Sequence, residues 1–172
     1  RRIMERGKGL KYRLIMGASR MIGSLPEWFI YGCLCKFVTF VLYRLLRYRL
    51  KVVRRNLNRA FPEKSHEELR TIERDFYAHL SEVMIDIIDM TNISYEDMMA
   101  RMRIENLAEH FAASEGRSWV AMMAHYGNWE CMGTYGIHDD RVQVAGVYHP
   151  LRDKAFDDLF YIMRSRFAVL PV

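Results

Sequence analysis

Ser118-Trp119-Val120-Ala121-Met122-Met123-Ala124-His125-Tyr126-Gly127-Asn128-Trp129-Glu130 is an apolar run that ends on an imidazole, a turn residue and a carboxylate. Residues 118–124 read as a buried strand, although so short a run is also compatible with a helix. His125–Gly127 reads as a turn, and Asn128 is suited to cap a helix that begins there. Downstream, Val142–Tyr148 reads as a second strand, Asp153–Phe167 as a helix and Ala168–Val172 as the start of another strand. Upstream, Met102–Glu105 reads as a short strand and Asn106–Glu115 as a helix closed by Gly116. Strands alternating with helices in this way indicate an α/β layer with a mixed or parallel sheet.

The first part of the chain has a different texture. Residues 10–24 read as a helix stopped by Gly23, Ser24 and Pro26. Residues 27–46 follow, and between 28 and 43 the only charge is Lys36. Sixteen helical residues reach about 24 Å, short of the roughly 30 Å of a hydrocarbon core. An interfacial or shallowly embedded helix therefore fits better than a clean span, and a buried core helix is the other reading. Basic residues from Arg44 to Arg59 follow it, as suits an anionic leaflet. After Phe61-Pro62, Ser65 and Glu68 have the spacing of a capping box, and apolar residues recur at helical spacing from Leu69 to Ile88. Ser94 is placed to cap a further short helix. We divide the chain at this texture change, into a basic, membrane-associated helical arm (1–60) and an α/β part (61–172).

Charge sharpens the division. The 172 residues carry +5 overall, but residues 1–60 hold fifteen Lys/Arg against two acids, Glu5 and Glu27, which is +13 and leaves −8 for the rest. Such an arm suits lipid headgroups or nucleic acid. Three cysteines, Cys33, Cys35 and Cys131, are odd in number and match no zinc spacing, which indicates a reducing compartment without a disulfide framework. No cleavable signal peptide is evident. The chain starts Arg1-Arg2 and stops at Leu170-Pro171-Val172, and both ends read as cut.

The chemistry concentrates at His125 and Glu130. At the carboxyl end of a strand in an open α/β sheet, side chains face the ligand crevice. There Glu130 could hold one ring nitrogen of His125 and leave the other to take a proton. This is the base and orienter of a serine-protease triad without the serine, so the substrate's own hydroxyl must attack. On spacing alone, a structural histidine beside a glycine remains the commoner case.

His125-Tyr126-Gly127-Asn128-Trp129-Glu130 resembles the first motif of the bacterial late lipid A acyltransferases, the lauroyl/myristoyl transferase type within the lysophospholipid acyltransferase superfamily. The superfamily has His, four residues, then Asp; the lipid A branch resembles it with Glu. Val147-Tyr148-His149-Pro150-Leu151-Arg152-Asp153-Lys154 is similar to the family's Tyr-Arg-Pro-Leu segment, with His149 where Arg is usual. Arg164-Ser165-Arg166 is similar to an Arg-x-Arg segment. Lys51-Val52-Val53-Arg54-Arg55-Asn56-Leu57 and Phe61-Pro62-Glu63-Lys64 are similar to the block after the family's membrane helix. The four matches fall in family order over roughly residues 28–172.

The resemblance implies a glycerol-3-phosphate acyltransferase-like fold, truncated here, because family motifs beyond the second strand–helix unit are missing. It implies His125 as general base, Glu130 as its orienter and Arg164 as a holder of developing negative charge or of an acceptor phosphate. Asn128 and Trp129 would shape the turn or line the acyl path, with packing as the other role. Arg152 and Lys154 would meet lipid phosphates, with a surface-loop role equally open, and Arg166 would bind substrate, with a solvated helix face as the equally open reading of Arg164 and Arg166. The donor would be an acyl carrier protein thioester and the acceptor a lipid A precursor, at the cytoplasmic side of the inner membrane, with no metal and no cofactor. Other glycolipids would serve the same chemistry as acceptors. A basic membrane- or nucleic-acid-binding module is the non-catalytic alternative, and the long apolar runs between the basic residues favour lipid over nucleic acid.

Overall fold

The computed structural model describes residues 9–134, 136, 143–167 and 169–171. The chain forms two compact units, one of residues 21–88 and the other of residues 1–20 with 89–172.

Within residues 21–88, helix α2 (Glu27–Leu45) is long and apolar enough, by length and composition, to cross a membrane. Its 19 residues reach about 28 Å, so the helix is longer than its charge-poor window suggested. Two stretches, Ile30–Leu34 and Val41–Leu45, are wound as π-helix. One side meets α4 (His66–Asp89), around Ile30, Cys35 and Ile85 with Ile22, Leu25, Leu34 and Val38. Polar ties run beside this core. The Tyr31 hydroxyl donates to Asp86 (2.7 Å), the Thr39 hydroxyl lies 3.0 Å from that of Ser81, and the Tyr43 hydroxyl donates to Glu73 (2.9 Å). Ascending positions on α2 meet descending positions on α4, so the two helices are antiparallel. The remaining surface of α2 stays uncovered, with Trp28 71% and Phe37 63% exposed.

Helix α4 begins where the sequence places it. Ser65 Oγ accepts from the Glu68 N–H (3.3 Å), and Glu68 accepts from the Ser65 N–H (2.8 Å), which completes the reciprocal box. The amphipathic helix α3 (Leu50–Ala60) precedes it and buries no residue fully.

The other unit contains α1 (Leu10–Gly23) up to Arg20. The buried Ser19 hydroxyl bonds to Thr91 and to the Asn92 amide. Ser94 caps α5 (Tyr95–Arg101), accepting from the Asp97 N–H at 3.0 Å. Helix α6 (Leu107–Ser114) closes through Glu115 and Gly116, both with positive φ. Then β1 (Val144–Gly146), α7 (Lys154–Arg166) and β2 (Val169–Pro171) form a β–α–β unit. The strands pair in parallel, with Val144 opposite Val169 and Gly146 opposite Pro171. Asp153 caps α7, accepting from the Ala155 N–H at 3.0 Å. Leu159 and Met163 of α7 are buried, with Phe167 just beyond its end.

Most of the described chain is therefore helical, and the α/β character rests on one two-stranded parallel sheet. Two expected strands do not form. Residues 118–124 are irregular and exposed, with Met122 96% exposed, and Met102–Glu105 is irregular after α5. An apolar run becomes a buried strand only where neighbouring strands take up its N–H and C=O groups, and among the described residues no strand pairs with either run. The strand expected at Val142–Tyr148 is confined to Val144–Gly146, with Val142 outside the described residues. Ala168 and Val172 of the last expected strand lie outside them as well, as do Arg1–Lys8 of the basic arm.

Candidate active site

Of the residues singled out in the sequence, His125, Asn128, Trp129 and Glu130 lie on the stretch 124–134, and Arg164 of α7 meets Glu130 there. The turn at 124–127 is tied by a hydrogen bond from the Tyr126 N–H to the Ala124 carbonyl (2.9 Å). Gly127 takes φ +56°, the left-handed region that a side chain disfavours. After Asn128 the chain winds as a 3-10 helix, Trp129–Thr134. Asn128 starts it through its backbone carbonyl, which accepts from the Cys131 N–H at 3.2 Å. Its side chain does not cap. The amide lies 3.7 Å from the Met90 sulfur, and the buried Oδ1 accepts no hydrogen bond among the described residues.

His125 is exposed, and its ring packs on Trp129 with centroids 4.7 Å apart at 51°. Glu130 is turned inward, 7% exposed. Its carboxylate does not meet His125; it meets Arg164 of α7 through a two-pronged contact, Nε to Oε2 at 2.9 Å and Nη2 to Oε1 at 2.6 Å. A buried carboxylate needs a counter-charge, and a planar guanidinium supplies it with two donors at once. Glu130 in turn strengthens Arg164's hold on its proton, raising its pKa against the opposing effect of burial. Aromatic faces complete the seat, with the Arg164 guanidinium carbon 5.2 Å from the Phe160 ring centroid and 5.6 Å from that of Tyr148. The remaining nitrogen, Nη1, makes no hydrogen bond among the described residues.

The other expected ligands are placed apart from this pair. Arg166 donates to the carbonyls of Met90 and Ile93, both at 2.8 Å, and so braces the chain between α4 and α5. Arg152 is exposed in the loop before α7. Among the described residues no group of three or more His, Cys, Asp or Glu side chains is gathered for a metal ion.

Sequence reasoning missed the Glu130–Arg164 pair and the Tyr148–Phe160 seat. Phe160 had a readable signal, since it lies one helical turn before Arg164 on the same face. The partnership across 34 residues had none.

The pattern of motifs now finds its class. The family model for bacterial lipid A biosynthesis acyltransferase matches residues 8–170. The chain belongs to that family, and the activity the family carries is acyl transfer in lipid A biosynthesis. Comparison with curated proteins and with solved structures gives no match.

Proposed function

We propose that the protein transfers a fatty acyl group from an acyl carrier protein thioester to a hydroxyl of a lipid A precursor, at the cytoplasmic side of the inner membrane. The observation that carries this reading is the buried Glu130, five residues after an exposed histidine and paired with Arg164, on a segment that resembles the family's first motif and lies within the family match. On this reading the β1–α7–β2 unit belongs to a glycerol-3-phosphate acyltransferase-like sheet. Helix α2, with most of its surface uncovered, is the membrane element.

His125 is the general base. Its neutral ring takes the proton of the acceptor hydroxyl while that oxygen attacks the thioester carbonyl. The new C–O bond gives a tetrahedral oxyanion. As this collapses, the C–S bond breaks, and the departing thiolate takes the proton from the imidazolium. No covalent acyl-enzyme is required, because the thioester is already activated. Glu130 is a positioning residue. Its fork with Arg164 occupies two of the roughly four lone-pair sites of a carboxylate, so it can still accept from a His125 ring N–H. Arg164 brings its unengaged Nη1 end to the oxyanion or to an acceptor phosphate. Asn128 and Trp129 line the turn that presents the base.

The test is lipid A mass spectrometry in a strain that lacks its own late acyltransferase, expressing the complete coding sequence. Wild type adds one acyl chain, and His125→Ala and Glu130→Gln abolish the addition. An unchanged lipid A mass with wild type overturns the substrate. Full activity in His125→Ala overturns the mechanism.

A further inference from the structure

The turn after α2 is built from arginines in a strained backbone. Arg47 (φ 47°) and Arg49 (φ 52°) both lie in the left-handed region, at a cost of about 1–2 kcal/mol each for a residue with a side chain. Their surroundings hold them there. The Leu46 N–H reaches the Val41 carbonyl and the Tyr48 N–H the Leu42 carbonyl, both at 2.9 Å. The Tyr77 hydroxyl of α4 donates to the Tyr48 carbonyl. Strain that is over-determined in this way concentrates where a protein grips a ligand.

What the turn presents is a concave, basic surface. Tyr43, Arg44, Arg47, Leu50 and Arg54 line a cavity of about 160 Å³. Arg54 is fixed as one wall, gripping the buried Glu73 through Nε (2.7 Å) and Nη2 (3.0 Å). That pair is close to neutral. Arg44 lies over the Tyr43 ring, 5.4 Å from its centroid. Among the described residues neither Arg44 nor Arg47 has a carboxylate partner. The cavity thus gathers two uncompensated guanidinium groups and a phenol. Guanidinium forks match the oxygen spacing of phosphate. A single water needs only about 10–15 Å³ of such space, so the cavity is roomy enough to admit a phosphate group.

Position selects the source. The cavity opens at the C-terminal end of α2, beside Tyr43, where headgroups would meet the helix if its uncovered flank lies in lipid. This step rests on the membrane reading of α2. We propose that Arg44 and Arg47, beside the Tyr43 ring and backed by the Arg54–Glu73 pair, seat a phosphate group carried by an anionic lipid headgroup.

The experiment titrates the purified protein, in neutral detergent, with short-chain phosphatidylglycerol, short-chain phosphatidylcholine and inorganic phosphate, read by calorimetry. Three double variants are compared: R44Q/R47Q, R44K/R47K, and R55Q/R59Q, whose arginines are exposed on α3. Circular dichroism verifies that each retains its helix content. The seat predicts that R44Q/R47Q weakens phosphatidylglycerol binding about tenfold or more, and that R44K/R47K, which keeps the charge but loses the forks, also weakens it several-fold. It predicts that R55Q/R59Q stays within about twofold, although it removes the same charge. Equal losses in the two Gln pairs would show a diffuse field and overturn the seat. Inorganic phosphate binding as tightly as phosphatidylglycerol would overturn the lipid as the source. Phosphatidylcholine binding equally tightly would overturn the requirement for an anionic headgroup. Flotation of detergent-free wild type with vesicles tests α2 separately. A protein that stays with no vesicle sinks the membrane reading whether or not the titration finds the seat.

Discussion

Replacing Arg164 by Met leaves the Glu130 carboxylate inside the protein without its partner, and the consequence can be sized. The pair makes two charge-assisted hydrogen bonds, at 2.9 and 2.6 Å, with side chains 6% (Glu130) and 25% (Arg164) exposed. Breaking a buried pair by removing one member costs about 3–5 kcal/mol. A quarter of the Arg164 side chain already reaches solvent, so water relieves part of the loss and the lower end, about 3 kcal/mol, is the expectation. At roughly 2–4 °C per kcal/mol for a chain of this size, the melting midpoint falls by roughly 6–12 °C. Urea unfolding followed by tryptophan fluorescence is the assay, since Trp129 adjoins Glu130 in the chain. The control is R164M/E130L, which removes both charges. Apolar replacement of a whole buried pair is often near neutral, so the double variant should recover most of what R164M loses. A loss in R164M below about 1 kcal/mol would show that Glu130 does not depend on its partner, which contradicts its burial. A double variant no more stable than R164M would place the cost in packing on Phe160 and Tyr148 and refute the electrostatic account.

Two further outcomes concern the other unit. Hydrogen bonding to Arg54 holds the Glu73 carboxyl below its ordinary range, against the opposing effect of burial. A depressed folded-state pKa gives stability that is complete above the unfolded value, about 4.3, and is lost as pH falls below it through the folded value. Urea midpoints measured down this range should therefore drop for wild type and drop less steeply for Glu73→Gln, which should also lose about 1–2 kcal/mol at neutral pH because Arg54 is more than half exposed; parallel pH profiles would refute the assignment. Ser65→Ala removes one half of the capping box on α4 and should cost about 1 kcal/mol in the same assay, while an unchanged midpoint would show that the first turn is held by other means.

Much of the helical framework was legible because its signals are local. Ser65 with Glu68, Ser94 with Asp97, and Asp153 with the start of α7 each join residues two to three positions apart, and each cap is in place. The sheet was legible only in part. Val144–Gly146 and Val169–Pro171 pair across a helix, whereas residues 118–124 have comparable apolar content and pair with no strand among the described residues. Composition cannot distinguish these cases, since a parallel strand is defined by its neighbour. Arg166 shows the same limit in the site. It donates to the backbone carbonyls of Met90 and Ile93, and a carbonyl leaves no mark in a sequence.

Glu130 stands out in the sequence as an acid five residues after His125, but its partner does not, and the reason is physical. His125 is exposed, and a neutral imidazole offers one donor and no charge. A carboxylate as deeply placed as Glu130 requires a lasting positive charge. Arg164 supplies it at every accessible pH, in a fork that also fixes the carboxylate plane. The acid of the first motif is therefore held by the arginine of a later one, and the β1–α7 framework locates both. On the proposed mechanism, catalysis by His125 depends on α7 as much as on its own turn. Arg164→Lys, which keeps the charge but cannot form the fork, would shift the carboxylate against the base and lower turnover more than stability.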